Sequence, residues 1–168
     1  MRDNPGGLLK QGTKISDLFL EKGTIVTVKN RRPNPFALLT GGDGKEEVYT
    51  AEEPNNLTLP VVVLVNDGSA SASEIVASAL QDNGRALIVG ERTFGKASVQ
   101  SLFDPETSDG YYIKITVARY YAPSGRTLQV VGVVPDVEVA PGVDGKMPVG
   151  FREEDLSNHL SKIESEYP

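Results

Sequence analysis

Three serines alternate with alanines in GSASASE (residues 68–74), directly after the apolar run VVVLV, and a glutamate closes the stretch. A hydroxyl at the mouth of a sheet and the start of a helix can act as a nucleophile. Backbone N–H groups and the positive end of the helix dipole lie beside it there and can hold an oxyanion. Ala70 and Ala72 leave room for a substrate backbone to come close. The stretch also has a purely structural meaning. Ser71 with Glu74 three residues on spells a capping box, in which the hydroxyl accepts the N3 amide and the carboxylate accepts the cap amide. The two meanings are compatible. A nucleophilic serine needs a base. The sole histidine, His159, stands in a charged tail and reads as a solvated surface residue. No G-x-S-x-G elbow surrounds any of the three serines. A Ser-His-Asp arrangement is set aside, and a lysine base is left, because burial disfavours an ammonium and favours the neutral amine. Lys96 in RTFGKASVQ, confined between Gly95 and Ala97, is the candidate.

Lys96 has a competing meaning. GERTFGKA (90–97) nearly matches the phosphate-binding pattern G-x-x-x-x-G-K-[ST]. Ala97 replaces the metal-binding hydroxyl, Glu91 sets a carboxylate near the phosphates, and ASVQSLFDP alternates where a helix is required. Nucleotide binding is therefore disfavoured. Asp82 is tempting as a third catalytic member. It lies eleven positions along the helix that starts near Ser71, roughly 16 Å away at about 1.5 Å per residue, and reads as a helix-end residue. Arg126 in PSGR reads as a structural ion pair or turn contact.

These residues must be positioned by a fold. GLLKQGTKISDLFLEKG (7–23) has Leu8, Gly12, Ile15, Leu18 and Phe19 at helical spacing, with Gly23 to end it. TIVTVK reads as a strand, and KEEVYTA as a short one between turns. LPVVVLVN is continuously apolar, as in a central strand buried on both faces, and RALIVGE reads likewise. Between them SASASEIVASALQDNG reads as a helix ended by Gly84. YYIKITVARYY (111–121) alternates, with Ile113, Ile115 and Val117 on one face. TLQVVGVV reads as a strand, PDVEVAPGVDGKMP as an exit segment, and REEDLSNHLSKIESEY as a charged terminal helix. The β-helix-β rhythm over 57–90 points to an α/β layer fold.

The totals bound the rest. A chain of 168 residues, 39% hydrophobic and 24% charged, suits one globular domain with a real core. The net charge of −6 disfavours nucleic acid as a partner. With no cysteine there is no disulfide framework and no thiolate metal site. No run approaches the roughly 18 apolar residues of a membrane span. MRDNPGG is polar and rich in glycine and proline, unlike a signal peptide.

LVNDGSASASEIVASALQDNGRALIVGERTFGKASVQ resembles the core of the C-terminal processing peptidases, the tail-specific serine proteases of peptidase family S41 with a Ser-Lys catalytic pair. DNPGGLL resembles that family's Asn-Pro-Gly-Gly loop, and YYAPSGRTLQVVGVVPDVEV its Tyr-Tyr-x-Pro-Ser-Gly-Arg segment. The three pieces occur in the family's order over residues 2–140. The resemblance implies a ClpP/crotonase-like α/β fold with a mixed sheet and flanking helices. It places the nucleophile at Ser71, not Ser69 or Ser73, and the base at Lys96, a separation of 96 − 71 = 25. It makes Gln100 the residue that orients the lysine amine. The oxyanion hole it implies uses backbone N–H groups of Ala72 and of Gly6 or Gly7. Ala97 stands where the family commonly has glycine. No metal and no cofactor are implied. The expected substrates are polypeptides, cut near their C-termini. The expected location is the cell envelope, periplasm or thylakoid lumen. Residues 1–140 are read as the catalytic core of a longer protease that also carries a PDZ domain, and 141–168 as a C-terminal tail with a charged helix. The alternative is an inert fragment that serves as a folded scaffold or peptide-binding module.

Overall fold

The computed structural model describes residues 1–31, 44–52, 57–104, 110–139 and 150–160. Strands β1 (Thr24–Asn30), β2 (Glu46–Thr50), β5 (Ser98–Phe103) and β6 (Ile113–Tyr121) form one antiparallel sheet in the order β2-β1-β6-β5. A second, parallel sheet has the order β3-β4-β7, from β3 (Val61–Val65), β4 (Ala86–Gly90) and β7 (Val137–Glu138). Helices α1 (Leu9–Asp17) and α2 (Ala72–Asp82) accompany them, with a 3-10 turn at Glu153–Asp155. This is the expected mixed α/β architecture.

Helix α2 is the hub. Residues 72 to 80 are all buried, so the helix is enclosed on every side, as its run of alanine, serine, isoleucine and valine requires. It packs on α1, β1 and β4. Its Ile75 and Leu80 join Ile25, Val63, Val65, Ile88 and Leu128 in the core. The crossover β3–α2–β4 joins two parallel neighbours, the βαβ arrangement expected of the 57–90 rhythm.

Several elements depart from the sequence reading. Helix α1 runs only from Leu9 to Asp17, and its buried face is made of small residues: Gly12, Thr13 and Ser16. Ile15 and Leu18, read as its apolar stripe, are exposed. A Cβ at Gly12 would come within 3.3 Å of the Ala72 carbonyl, so close helix packing decided the face. The described residues cover strands β3 and β4 on one face only; Val62, Leu64 and Leu87 are exposed. Ile113 and Ile115 are exposed too, because burial in β6 begins toward its far end. TLQVVGVV is not a strand. It is a turn segment with a single bridge from Thr127 to Tyr121, broken by positive φ at Val130 and Gly132. The segment read as an exit joins the parallel sheet as β7. The tail forms only the 3-10 turn over its described part; residues 161–168 lie outside the described residues.

Candidate active site

Of the three serines, Ser69 and Ser73 are buried at 0% and 3% exposure. Ser69 Oγ donates to the Met1 carbonyl at 2.8 Å and accepts Asn66 N–H at 3.0 Å, which fastens the N-terminal loop to the turn after β3. Ser71 is the one of the three that lines a cavity together with Lys96. It caps α2 with φ 56° and ψ −118°, a conformation that costs a non-glycine residue roughly 1–3 kcal/mol and persists only where its surroundings enforce it. The enforcement is visible in the loop that precedes α1. Gly6, at φ +91°, lies so close that a Cβ there would sit 2.5 Å from the Ala70 carbonyl and 2.7 Å from Ala72 N. Ala70 N–H donates to the Asn4 carbonyl at 3.0 Å.

A cavity of about 260 Å3 collects Ser71, Ala72, Lys96, Gln100 and Gly7, with Ser98 and Tyr120. Serine and lysine, 25 residues apart in the chain, thus share one pocket. The Ala72 and Gly7 N–H groups make no hydrogen bond among the described residues, whereas Gly6 N–H is taken by Asn4 Oδ1 at 2.9 Å. Gly6 itself lines a separate cavity of about 100 Å3. Of the two loop glycines, Gly7 is therefore the one that lines the serine's pocket with an N–H unengaged among the described residues. Gln100 stands on β5 opposite Thr116 and is exposed at the rim. Its amide makes no hydrogen bond to the lysine amine in this structure.

The loop that carries Lys96 has no regular secondary structure, yet every backbone N–H from Thr93 to Ala97 is engaged. Thr93 N–H donates to Val133 at 3.1 Å and Phe94 N–H to Ser69 at 3.0 Å. Gly95 N–H and Lys96 N–H both donate to the Glu74 carboxylate, at 2.7 and 2.9 Å. Ala97 N–H donates to Gln129 Oε1 at 2.9 Å. In return the Gly95 carbonyl accepts Val130 N–H at 2.8 Å, the Ala97 carbonyl accepts Tyr120 N–H at 3.0 Å, and the Lys96 carbonyl accepts the Tyr120 hydroxyl.

Glu74 joins the two halves. It is 0% exposed, and besides the loop amides it accepts Ser71 N–H at 2.8 Å and the Thr93 hydroxyl at 2.5 Å. Burial outweighs these four donors and pushes its carboxyl up to about 7. The capping box of the sequence is half of this role; the other half, the grip on the lysine loop, is long-range and has no local signature. Tyr120 was likewise missed. It is buried beneath the pocket, hydrogen-bonded to Ser71, and held protonated well above the ordinary tyrosine range by burial and then by the Glu74 charge. Gln129, at 0% exposure, is the third support the sequence does not announce.

The remaining candidates fall outside the pocket. Asp82 Oδ1 pairs with Arg126 at 2.9 Å, and its other oxygen accepts Ser124 N–H at 3.1 Å, so both residues are structural. His159 is exposed, with Nδ1 2.8 Å from the Leu156 carbonyl. The near match to a phosphate loop leads into strand β5 rather than a helix, so it lacks the helix N-terminus that would hold a phosphate. Among the described residues no group of three or more His, Cys, Asp or Glu could hold a metal.

The chain is 48% identical over 136 residues to a carboxyl-terminal-processing protease of Synechocystis, covering 81% of this chain and 29% of that protein. It is 42% identical over 163 residues to a carboxy-terminal-processing protease of Bartonella bacilliformis, covering 95% and 35%. The chain thus spans about a third of the length of these curated relatives. The solved photosystem II D1 C-terminal processing protease superposes with a TM-score of 0.67 at 37% identity, covering 86% of this chain and 36% of that one. The model of peptidase family S41 matches residues 1–139, and the chain belongs to that family.

Proposed function

We propose that this chain is the catalytic core of a serine endopeptidase that processes polypeptides near their C-termini with a Ser71–Lys96 pair. One observation carries the reading: Ser71, Lys96 and two unengaged backbone N–H groups, of Ala72 and Gly7, line the same cavity. The neutral Lys96 amine takes the Ser71 proton as Oγ attacks the scissile carbonyl. The oxyanion forms against the Ala72 and Gly7 N–H groups. The Lys96 ammonium then protonates the leaving amine, which departs and leaves an acyl ester on Ser71. Water, deprotonated by Lys96, attacks the ester; the Lys96 ammonium returns that proton to Ser71 Oγ as it leaves, freeing the product acid, which ionises to its carboxylate, and regenerating the serine and the amine. Gln100, at the rim, orients the lysine amine once substrate is bound. Relatives named for cyanobacteria and for chloroplasts support a place in the cell envelope, periplasm or thylakoid lumen. A PDZ domain in the longer protein would present the substrate.

A fluorophosphonate probe tests the reading. It should label wild type and not Ser71→Ala. In the full-length protease, Lys96→Arg should abolish cleavage, because a guanidinium stays charged and cannot act as the base. Because the chain spans about a third of its relatives, an inert scaffold or peptide-binding module is the second reading. Absence of labelling at every pH would favour it.

A further inference from the structure

Lys96, Ser98 and Gln100 belong to two cavities at once. Beyond them, away from Ser71, lies a second space of about 340 Å3, walled by Phe94, Leu156, Asn158 and Leu160. Its outer wall is the segment Gly150–Leu160, pinned to the lysine loop. Gln129 Nε2 donates to Glu153 Oε1 at 2.8 Å and to the Leu160 carbonyl at 3.2 Å, while its Oε1 accepts Ala97 N–H. Glu153 N–H donates to the Phe94 carbonyl at 3.2 Å. The Phe94 and Phe151 rings lie 6.4 Å apart, and Arg92 pairs with Glu154. The floor shared by both cavities is β5, an edge strand of its sheet that has no second strand partner among the described residues.

Resting on the Ser-Lys reading, we propose that this second cavity is a polypeptide-binding subsite. An extended stretch of the substrate lies along β5, and the chain beyond the scissile bond enters the space beneath Leu156 and Asn158. Three features fit that occupant. An edge strand offers main-chain hydrogen bonds to an extended chain, and the flanking cavity receives its side chains. The lining mixes apolar Phe94, Leu156 and Leu160 with amide and hydroxyl groups and the charged Lys96 and Glu153, as a peptide of mixed composition requires. Lys96, Ser98 and Gln100 line both this space and Ser71's pocket, so the two adjoin along β5 and one extended chain can run past both. Gln129 is then a positioning residue, since one side chain fixes both the subsite wall and the backbone beside the base.

The test uses the full-length protease that carries these residues. Ser71→Ala is made to bind without turnover, and its Kd for fluorescein-labelled β-casein, an unfolded polypeptide, is read by anisotropy. Adding Asn158→Trp, which fills the cavity from an exposed position, should weaken binding about tenfold or more. Adding Leu156→Asp should do the same, and a thermal melt should show both variants folded. A Kd within about twofold of the parent in both folded variants overturns the subsite. Fluorophosphonate labelling of Ser71 in the single variants Asn158→Trp and Leu156→Asp should keep its wild-type rate, because that probe needs only the first cavity. A labelling rate that falls with binding also overturns the proposal, since the segment would then act through the lysine loop. Failure of wild type to label speaks against the Ser-Lys reading alone and leaves the binding comparison standing.

Discussion

Glu74 shows how one side chain can serve structure and chemistry together. Its four donors are three backbone N–H groups and one hydroxyl, and only the Thr93 hydroxyl can reverse and accept. Protonation must therefore fall on the oxygen facing Thr93. Folding raises this carboxyl from 4.5 to about 7, so the folded state holds the proton more tightly than the unfolded state does. The stability it contributes is fully present below pH 4.5 and is lost as pH rises through about 7. Glu74→Gln cannot titrate, and its amide must set an N–H against a backbone N–H, at a cost of about 1–3 kcal/mol. In urea unfolding the variant should be the less stable protein at pH 4.5, and the gap should narrow by about 3 kcal/mol by pH 8. A gap independent of pH would show that folding leaves the proton affinity of Glu74 unchanged. In the full-length protease the same variant should lower kcat/KM by about 10- to 100-fold, because it loosens a side chain that grips the backbone of both Ser71 and Lys96.

Helix α2 and the loop 93–97 are the elements that carry the site, and they differed in how far the sequence disclosed them. The Ser-x-x-Glu start of α2 and its apolar periodicity are local signals, and the helix begins where they place it. The lysine loop takes its order from Glu74, Gln129 and Tyr120, partners 19 to 32 positions away, which no local spacing encodes. The strained backbone of Ser71 was illegible for the same reason. It is imposed by Gly6, 65 positions earlier, and no glycine flanks the serine to advertise it. This makes Gly6→Ala a test of the element contact. The methyl would meet backbone atoms of Ala70 and Ala72 that cannot move without shifting α2, at φ +91°. It should destabilise the protein by about 1–3 kcal/mol in urea unfolding. Gly7→Ala meets nothing within 4 Å and should stay within about 0.5 kcal/mol of wild type. Equal losses at the two glycines would mean that the loop is held by its own turn rather than by its packing on Ser71.

At the scale of the molecule, the βαβ unit and the central helix were legible, while the covering of the parallel sheet was not. A continuous apolar run states that both faces of a strand avoid water, as parallel sheets ordinarily require. It does not state what covers each face. The described residues cover one: Val63 and Val65 are buried under α2 and its neighbours, whereas Val62 is 57% and Leu64 52% exposed. Register sets Val62 beside Leu87 and Val89 beside Val137, so the uncovered residues form one continuous apolar surface across all three strands. Alternate positions in VVVLV should therefore respond differently to the same change. Val63→Thr buries a hydroxyl in the core and should cost about 1–3 kcal/mol. Val62→Thr keeps, and Leu64→Thr introduces, a β-branched side chain on an open face, and each should cost less than about 1 kcal/mol. The double variant Val62→Thr/Leu64→Thr should also bind less of a hydrophobic dye than the wild-type chain, because it breaks the patch at its centre. Urea unfolding of the three single variants decides the matter. Losses at Val62 and Leu64 as large as the loss at Val63 would mean that this face is covered in solution, and dye binding unchanged in the double variant would say the same.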